Sequence, residues 1–407
     1  MEQSLMRAAE KLHEIVWRKF IRMPYGHVLD YAPREGAAGN LYPTPEQCEN
    51  DFPNPMGWWT PVENGAFFTG LYAAALTEKY RRQPDEKTKS ELLTLANGLF
   101  LLQDISEVDG FIARGVGTDG KSHYKLSSED QVGPWVYGLW RVLDSGAADE
   151  ALCDGIRRRL LREVGGLEKR GFAIPTEWGE HVWGSFAGSD FRGCAKLLGC
   201  VRAAYAASGD DAWRVLYEKL SAEKPDGIYT RREICANGLA PDMVRNNGLI
   251  QFWIFACSSE FLYALAESDT GAADAYRRGL SGSAATAVKF LEDYKKFAAL
   301  PRQGFDIDWT GLSDLWRVPA DPMDGMNMAL EQNRVWMEKL VPERKAEHNI
   351  LGNALFACLI CARAPEKAVR DYAARTLSEL IGAVDWEALN LSYAFVAESA
   401  CLLLGGK

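Results

Sequence analysis

Hydrophobic and polar positions along this chain vary on two scales. Within segments, apolar residues recur at helical spacing; between segments, one-faced stretches alternate with stretches apolar nearly all round. Residues 2–22 set Leu5, Ala8, Ala9, Leu12, Ile15, Val16 and Phe20 on one helical face, with charges opposite. A loop rich in Gly, Pro and Asn covers 25–59. Thr60-Pro61-Val62-Glu63 then reads as a capping box with Pro at the first position. It opens a helix through Tyr80 whose body is GAFFTGLYAAAL. Charged, amphipathic stretches follow at 85–103, 147–170, 210–223, 272–296 and 365–381. Apolar ones lie between and after them: from about Asp130, then 186–208, 248–266, 349–362 and 391–404.

A helix apolar on all sides has to be enclosed by other elements, whereas an amphipathic one lies at the surface. Twelve helices alternating in this way predict six helical hairpins in two concentric rings. The expected fold is all-α: an (α/α)6 toroid, residues 1–407 forming one barrel domain, with minor β-hairpins in loops such as 111–125. Inner helices are expected to start near Glu63, Asp130, Asp190, Asn246, Glu347 and Leu391. Their uneven spacing comes mostly from a long loop insertion at 298–346, which carries Trp309, Trp316 and Trp336.

Composition narrows the function classes. Hydrophobic residues make up 47% of 407, enough for a large core, and no Pro/Gly/Ser linker divides the chain. A net charge of -10 without a basic stripe argues against a nucleic-acid partner. The N-terminal residues form an amphipathic pattern rather than a signal peptide, and no apolar run is long enough for a bilayer. A cytoplasmic protein without a membrane partner is expected. Nine cysteines lie mostly in apolar helical surroundings, and Cys358 and Cys361 read as small core residues, not a metal or redox pair. The histidines show no metal-ligand spacing, and Gly115-Val116-Gly117 lacks the strand and helix of a phosphate loop, so no cofactor is expected. Oligomeric state leaves no mark in the sequence.

Candidate chemistry centres on 114–140. Thr118-Asp119-Gly120-Lys121 is a turn signal, and Ser128-Glu129-Asp130-Gln131 has the form of a second capping box. Pro134 offers a different helix start, with Gly133 before it and Asp130 left on the loop. Both starts put the Asp130 carboxylate at a helix entrance, where it could be catalytic or simply complement the helix dipole.

Inner helices of a double ring run parallel, so their N-termini and unpaired amides open at one mouth. The six entrances are polar: Glu63-Asn64, Asp130-Gln131, 180–190, Arg245-Asn246-Asn247, Glu347-His348-Asn349 and Tyr393. Trp58, Trp59, Tyr124, Trp135, Trp183 and Trp309 lie in or beside them. Rings that stack on sugars, next to carboxylates and amides for hydroxyls, suit a cleft for a short oligosaccharide. Arg114, Lys121, Lys125 and Arg245 could meet an anionic substituent, and His123, His181 and His348 could bond hydroxyls. The structural alternative is that the Asp, Glu and Asn residues are caps and the tryptophans core.

The stretches PVENGAFFTGLYAAAL (61–76), GFIARGVGTDG (110–120) and HYKLSSEDQ (123–131), with the hairpin alternation along the chain, resemble the six-hairpin glycosidases. The likeness is nearest to the unsaturated glucuronyl and unsaturated rhamnogalacturonyl hydrolase families. It implies an acid/base role for Asp130 at the second inner helix and a second acidic residue from the first. At that second place this sequence has Glu63 and Asn64. The implied reaction protonates the enol-ether double bond of an unsaturated uronide; water then adds and the aglycone leaves. Asp130 can be that acid only if burial outweighs the helix N-terminus. Two other readings use the same toroid: a sugar epimerase or isomerase with His181 and His348 as acid and base, and a noncatalytic carbohydrate-binding protein.

Overall fold

The alternation of surface and buried segments is realised as two nested rings of helices. The structure, a computed structural model, describes residues 1–32, 41–246, 249–297, 300–305, 308–339 and 342–406. The outer helices are α1 (Glu2–Ile15), α3 (Glu86–Asp104), α5 (Glu150–Glu168), α7 (Asp211–Ala222), α9 (Ala273–Phe297) and α11 (Lys367–Ala383). The inner ones are α2 (Gly65–Arg82), α4 (Glu129–Leu143), α6 (Phe191–Ser208), α8 (Trp253–Ser268), α10 (Asn353–Ala362) and α12 (Ala394–Leu404). Each inner helix packs against the next in chain order, and α12 returns to α2, which closes the ring. The apolar composition has its cause in this enclosure: every residue of α10 and of α12 is buried.

The tightest crossing joins α2 to α4. A Cβ on Gly70 would stand 2.0 Å from the Pro134 carbonyl oxygen, and one on Gly138 would stand 2.6 Å from Gly70 Cα. Only hydrogen in place of a side chain lets the two backbones touch there.

The ends of the chain are tied where the ring closes. His13 on α1 bonds Glu398 on α12 and Glu91 on α3, each at 2.9 Å, while Tyr72 on α2 donates to Glu398 at 2.8 Å. At the opposite end from the helix entrances, Arg363 forks onto Glu260 (2.8 and 3.0 Å), and Tyr137 donates to the same carboxylate. These groups are buried and fill the bore.

Several local expectations are corrected. Neither capping box forms. α2 starts at Gly65, Thr60 Oγ1 donates to the Gly57 carbonyl, and Ser128 Oγ accepts from Arg114. Residues 111–125 make no hairpin ladder, because their backbone groups have other partners. Ala113 donates to Leu102, Thr118 donates to Pro43, and Arg22 donates to the carbonyls of Val116 and Gly117. Strand pairs lie elsewhere: Ile21–Arg22 with His27–Val28, Ala173–Pro175 with Val182–Ser185, and Arg245–Asn246 with Leu249–Ile250. The insertion is no bare loop, since it holds a 3-10 turn (Trp309–Leu315) and an 18-residue helix (Pro322–Lys339). No helix of the described residues is long and apolar enough to cross a membrane.

Two outcomes follow from this frame. Burial lowers the His13 pKa, but its two glutamates outweigh this and raise it from 6.5 to about 9. Its stabilisation is therefore complete below pH 6.5 and lost as pH rises through about 9. Urea unfolding of wild type should show a loss of at most about 3 kcal/mol across that window, absent in His13→Gln. Gly70→Ala should cost about 1–3 kcal/mol in the same assay, because neither backbone can retreat; an unchanged midpoint would contradict the crossing.

Candidate active site

The entrances of all six inner helices meet at two adjoining cavities. One, of about 230 Å³, is lined by Asp30, Glu63, Asn64, Gln251, Trp253, Arg344, His348 and Tyr393, with Trp58, Trp59 and Phe68. The other, of about 370 Å³, is lined by Arg114, Ser128, Glu129, Asp130, Trp183 and Arg192. Trp58, Glu63, Asn64 and Trp253 belong to both and form the wall between them.

Local bonding explains how this wall is set. Asp30 lies in a short extended stretch whose carbonyl accepts from Ser392 and whose amide donates to Pro61, between the α12 and α2 entrances. Its carboxyl accepts from the Asn64 backbone and side-chain amides, both at 2.6 Å. Asn64 Oδ1 in turn accepts from Gln131 at 3.1 Å, and Gln131 Oε1 accepts from Phe67 N at 3.2 Å. Side chains expected to cap their own helices instead tie the α2 entrance to the α4 entrance. Glu63 accepts from Trp59 N at 2.8 Å. That bond, with Tyr31 donating to the Trp59 carbonyl, holds Trp59 at φ 77°, a conformation costly for a bulky residue.

The carboxyls occupy opposed electrostatic settings. Burial and the neighbouring Glu63 raise the Asp30 pKa well above the carboxylate range, against the Asn64 bonds. Burial likewise raises Glu63, opposed by Trp59 N–H and Arg114. At Asp130 burial also pushes upward, but Lys196 and Arg192 prevail and lower it. Lys196 Nζ is 2.8 Å from Asp130 Oδ1. The charged form is therefore favoured at Asp130, the reverse of what an acid role for that residue requires.

Arg344 forms the roof of the smaller cavity. It is buried, its Nε has no partner among the described residues, and its guanidinium lies 4.5 Å over the Trp59 ring. Asn333, from the helix Pro322–Lys339, lines the same space. Gln332 next to it accepts from Asn54 and donates to Pro53, which joins the insertion to the 41–59 loop above the mouth. Arg114 is enclosed beneath the wall, donating to the Glu63 carbonyl and to Ser128.

Of the residues singled out in the sequence, Asp130, Glu63, Trp59, Asn64, Arg114, Trp183 and His348 line the cavities, and Gln131 lies behind the wall. Four do not join them. His123 is turned to Glu177 (2.7 Å) by the Asp119 turn, and Tyr124 OH donates to the Phe52 carbonyl. Trp135 faces the core and donates to Leu99, since α4 is buried on that side too. His181 is exposed just before the strand Val182–Ser185. The side chains of Arg245 and Asn246 lie outside the described residues. Lys121 is exposed, and Lys125 serves Glu49 and Asp51. A two-histidine acid–base pair therefore does not assemble: His348 stands in the cavity without His181, its pKa lowered to about 3 by burial and Arg344.

Sequence reasoning missed Asp30, Lys196, Arg192, Trp253 and Arg344 as site residues, while Tyr393, named there only as a helix entrance, lines the smaller cavity. Two carried a usable signal: Asp30 is an acid within the apolar stretch HVLDYA, and Lys196 is a cation within the apolar run CAKLLGCV.

No protein-family model and no curated protein matches the chain. A solved structure, the GH76A alpha-1,6-mannanase from Salegentibacter sp. HEL1_6, is similar at 12% identity with a TM-score of 0.34, covering 81% of this chain and 99% of that one.

Asn64→Ala removes both the side-chain bond to Asp30 and the bridge to Gln131. It should lower stability by about 1–3 kcal/mol, the cost of leaving buried polar groups unsatisfied. Urea denaturation measures it, and a loss under about 0.5 kcal/mol would show that this network does not hold the wall.

Proposed function

We propose that this chain is a glycoside hydrolase acting on short oligosaccharides, with the scissile bond lying across the Glu63–Asn64 wall. One observation carries the reading: two adjoining aromatic-lined cavities hold carboxyls, Glu63 in their shared wall and Asp130 in one of them, whose environments push their pKa values apart. Such divergence separates an acid from a base. Glu63, backed by Asp30, is the proton donor; Asp130, ionised, takes the proton from water. This assignment leaves Asp130 only the base half of the acid/base role that the family resemblance implies for it, and gives the acid half to Glu63.

The finer reading is an unsaturated uronide as substrate. Arg344, buried without a hydrogen-bonding partner for its Nε among the described residues, suits the uronide carboxylate. The proton from Glu63 goes to one carbon of the enol-ether double bond, and the water oxygen bonds to the other as Asp130 accepts its proton. The resulting hemiketal collapses and releases the aglycone. With a saturated substrate the same groups would perform an inverting hydrolysis, the acid protonating the glycosidic oxygen.

Unsaturated disaccharides should lose their ultraviolet absorbance with this enzyme, and Glu63→Gln and Asp130→Asn should each lower kcat by about 10²–10⁴. The pH profile should be bell-shaped. Activity falls on the alkaline side as the raised Asp30–Glu63 pair loses its proton, and on the acid side only once Asp130 gains one. Turnover confined to saturated oligosaccharides, followed by reducing ends, would end the uronide reading. Sugar binding without turnover of either kind would end the hydrolase reading.

A further inference from the structure

Lys196 is a cation in the middle of an inner helix, with Ala195 before it and Leu197 and Leu198 after it. Its side chain is 1% exposed. An unpaired ammonium in such a place is strongly unfavourable, so its partners define its purpose. They are at the entrance of the neighbouring helix α4: Asp130 Oδ1 at 2.8 Å and the Glu129 carbonyl at 3.3 Å. The stem reaches them across Gly133, where a Cβ would come within 3.1 Å of Lys196 Cδ. Asp130 Oδ2 makes no hydrogen bond among the described residues, and the side chain is 19% exposed along the larger cavity.

We propose that Lys196 is a positioning residue that holds Asp130 as an ionised carboxylate and leaves Oδ2 aimed at the reacting water. The proposal rests on the hydrolase reading for the water, but the ionisation of Asp130 stands apart from it. The charged and titratable groups facing Asp130 come from several elements: Lys196 and Arg192 on α6, Glu129 on α4, Arg114 from the preceding loop, and the neutral Cys257 thiol on α8. Arg192 is engaged by Glu129 at 2.8 Å. Lys196 alone among these cations bonds the Asp130 carboxylate directly.

Lys196→Met keeps the length of the stem and removes the charge. Carbon-13 NMR of aspartate-labelled protein, with the Asp130 signal assigned by its loss in Asp130→Asn, should show its titration moving upward in Lys196→Met and staying low in Lys196→Arg. On a substrate that wild type turns over, Lys196→Met should lower kcat by about tenfold or more, with KM little changed and the acid limb displaced upward. Should Lys196→Met fold poorly, the pair Lys196→Met/Asp130→Asn, which buries no lone charge, should recover the wild-type melting temperature. An Asp130 titration unmoved in folded Lys196→Met overturns the proposal, as does a double variant no more stable than the single one. If Asp130 titrates as expected but no glycoside is hydrolysed, the hydrolase reading fails and the role of Lys196 in setting the Asp130 charge remains.

Discussion

The contact of Gly70 with Gly138 and the Pro134 carbonyl governs the geometry of the mouth. Because α2 and α4 meet backbone to backbone, their entrances are close enough for Gln131 to bond Asn64. Asn64 then reaches Asp30, which is held in turn by backbone bonds to Pro61 and Ser392. Removing space at the crossing would separate carboxyl groups a full helical turn or more away. A packing constraint in the core thus becomes a chemical constraint at the surface of the cavity.

Electrostatics then differentiates groups that packing has gathered. Asp30 and Glu63 share an enclosed corner with Arg114 and Arg344, which act on them through charge with no direct bond to their carboxylates among the described residues, so burial prevails. Asp130, on the other side of the wall, has an ammonium within hydrogen-bonding distance, and the balance reverses. The difference lies in a direct bond to a cation, not in the depth of the carboxyl.

The rings were legible because twelve segments announce their surroundings through hydrophobic pattern alone, and all twelve appear as helices. Helix starts were less so. Thr60 and Ser128 have the right spacing for capping boxes, but Thr60 turns its hydroxyl to the Gly57 carbonyl and Ser128 is taken by Arg114. Trp135 looked like a mouth residue because its position near the α4 entrance is legible while its direction around the helix is not. Arg344 sits in PERKAEH, which has the composition of a solvated surface; only the fold turns it inward over Trp59. Lys196 and Asp30 are charges in apolar runs, a signal the sequence reading passed over and whose partners only the tertiary structure supplies.

The Arg363–Glu260 fork at the far end of the bore has a consequence for traffic. With that end stopped by side chains, the ring is a blind well rather than a tunnel. Whatever descends into it must be withdrawn by the same route, and a long polymer cannot be threaded through.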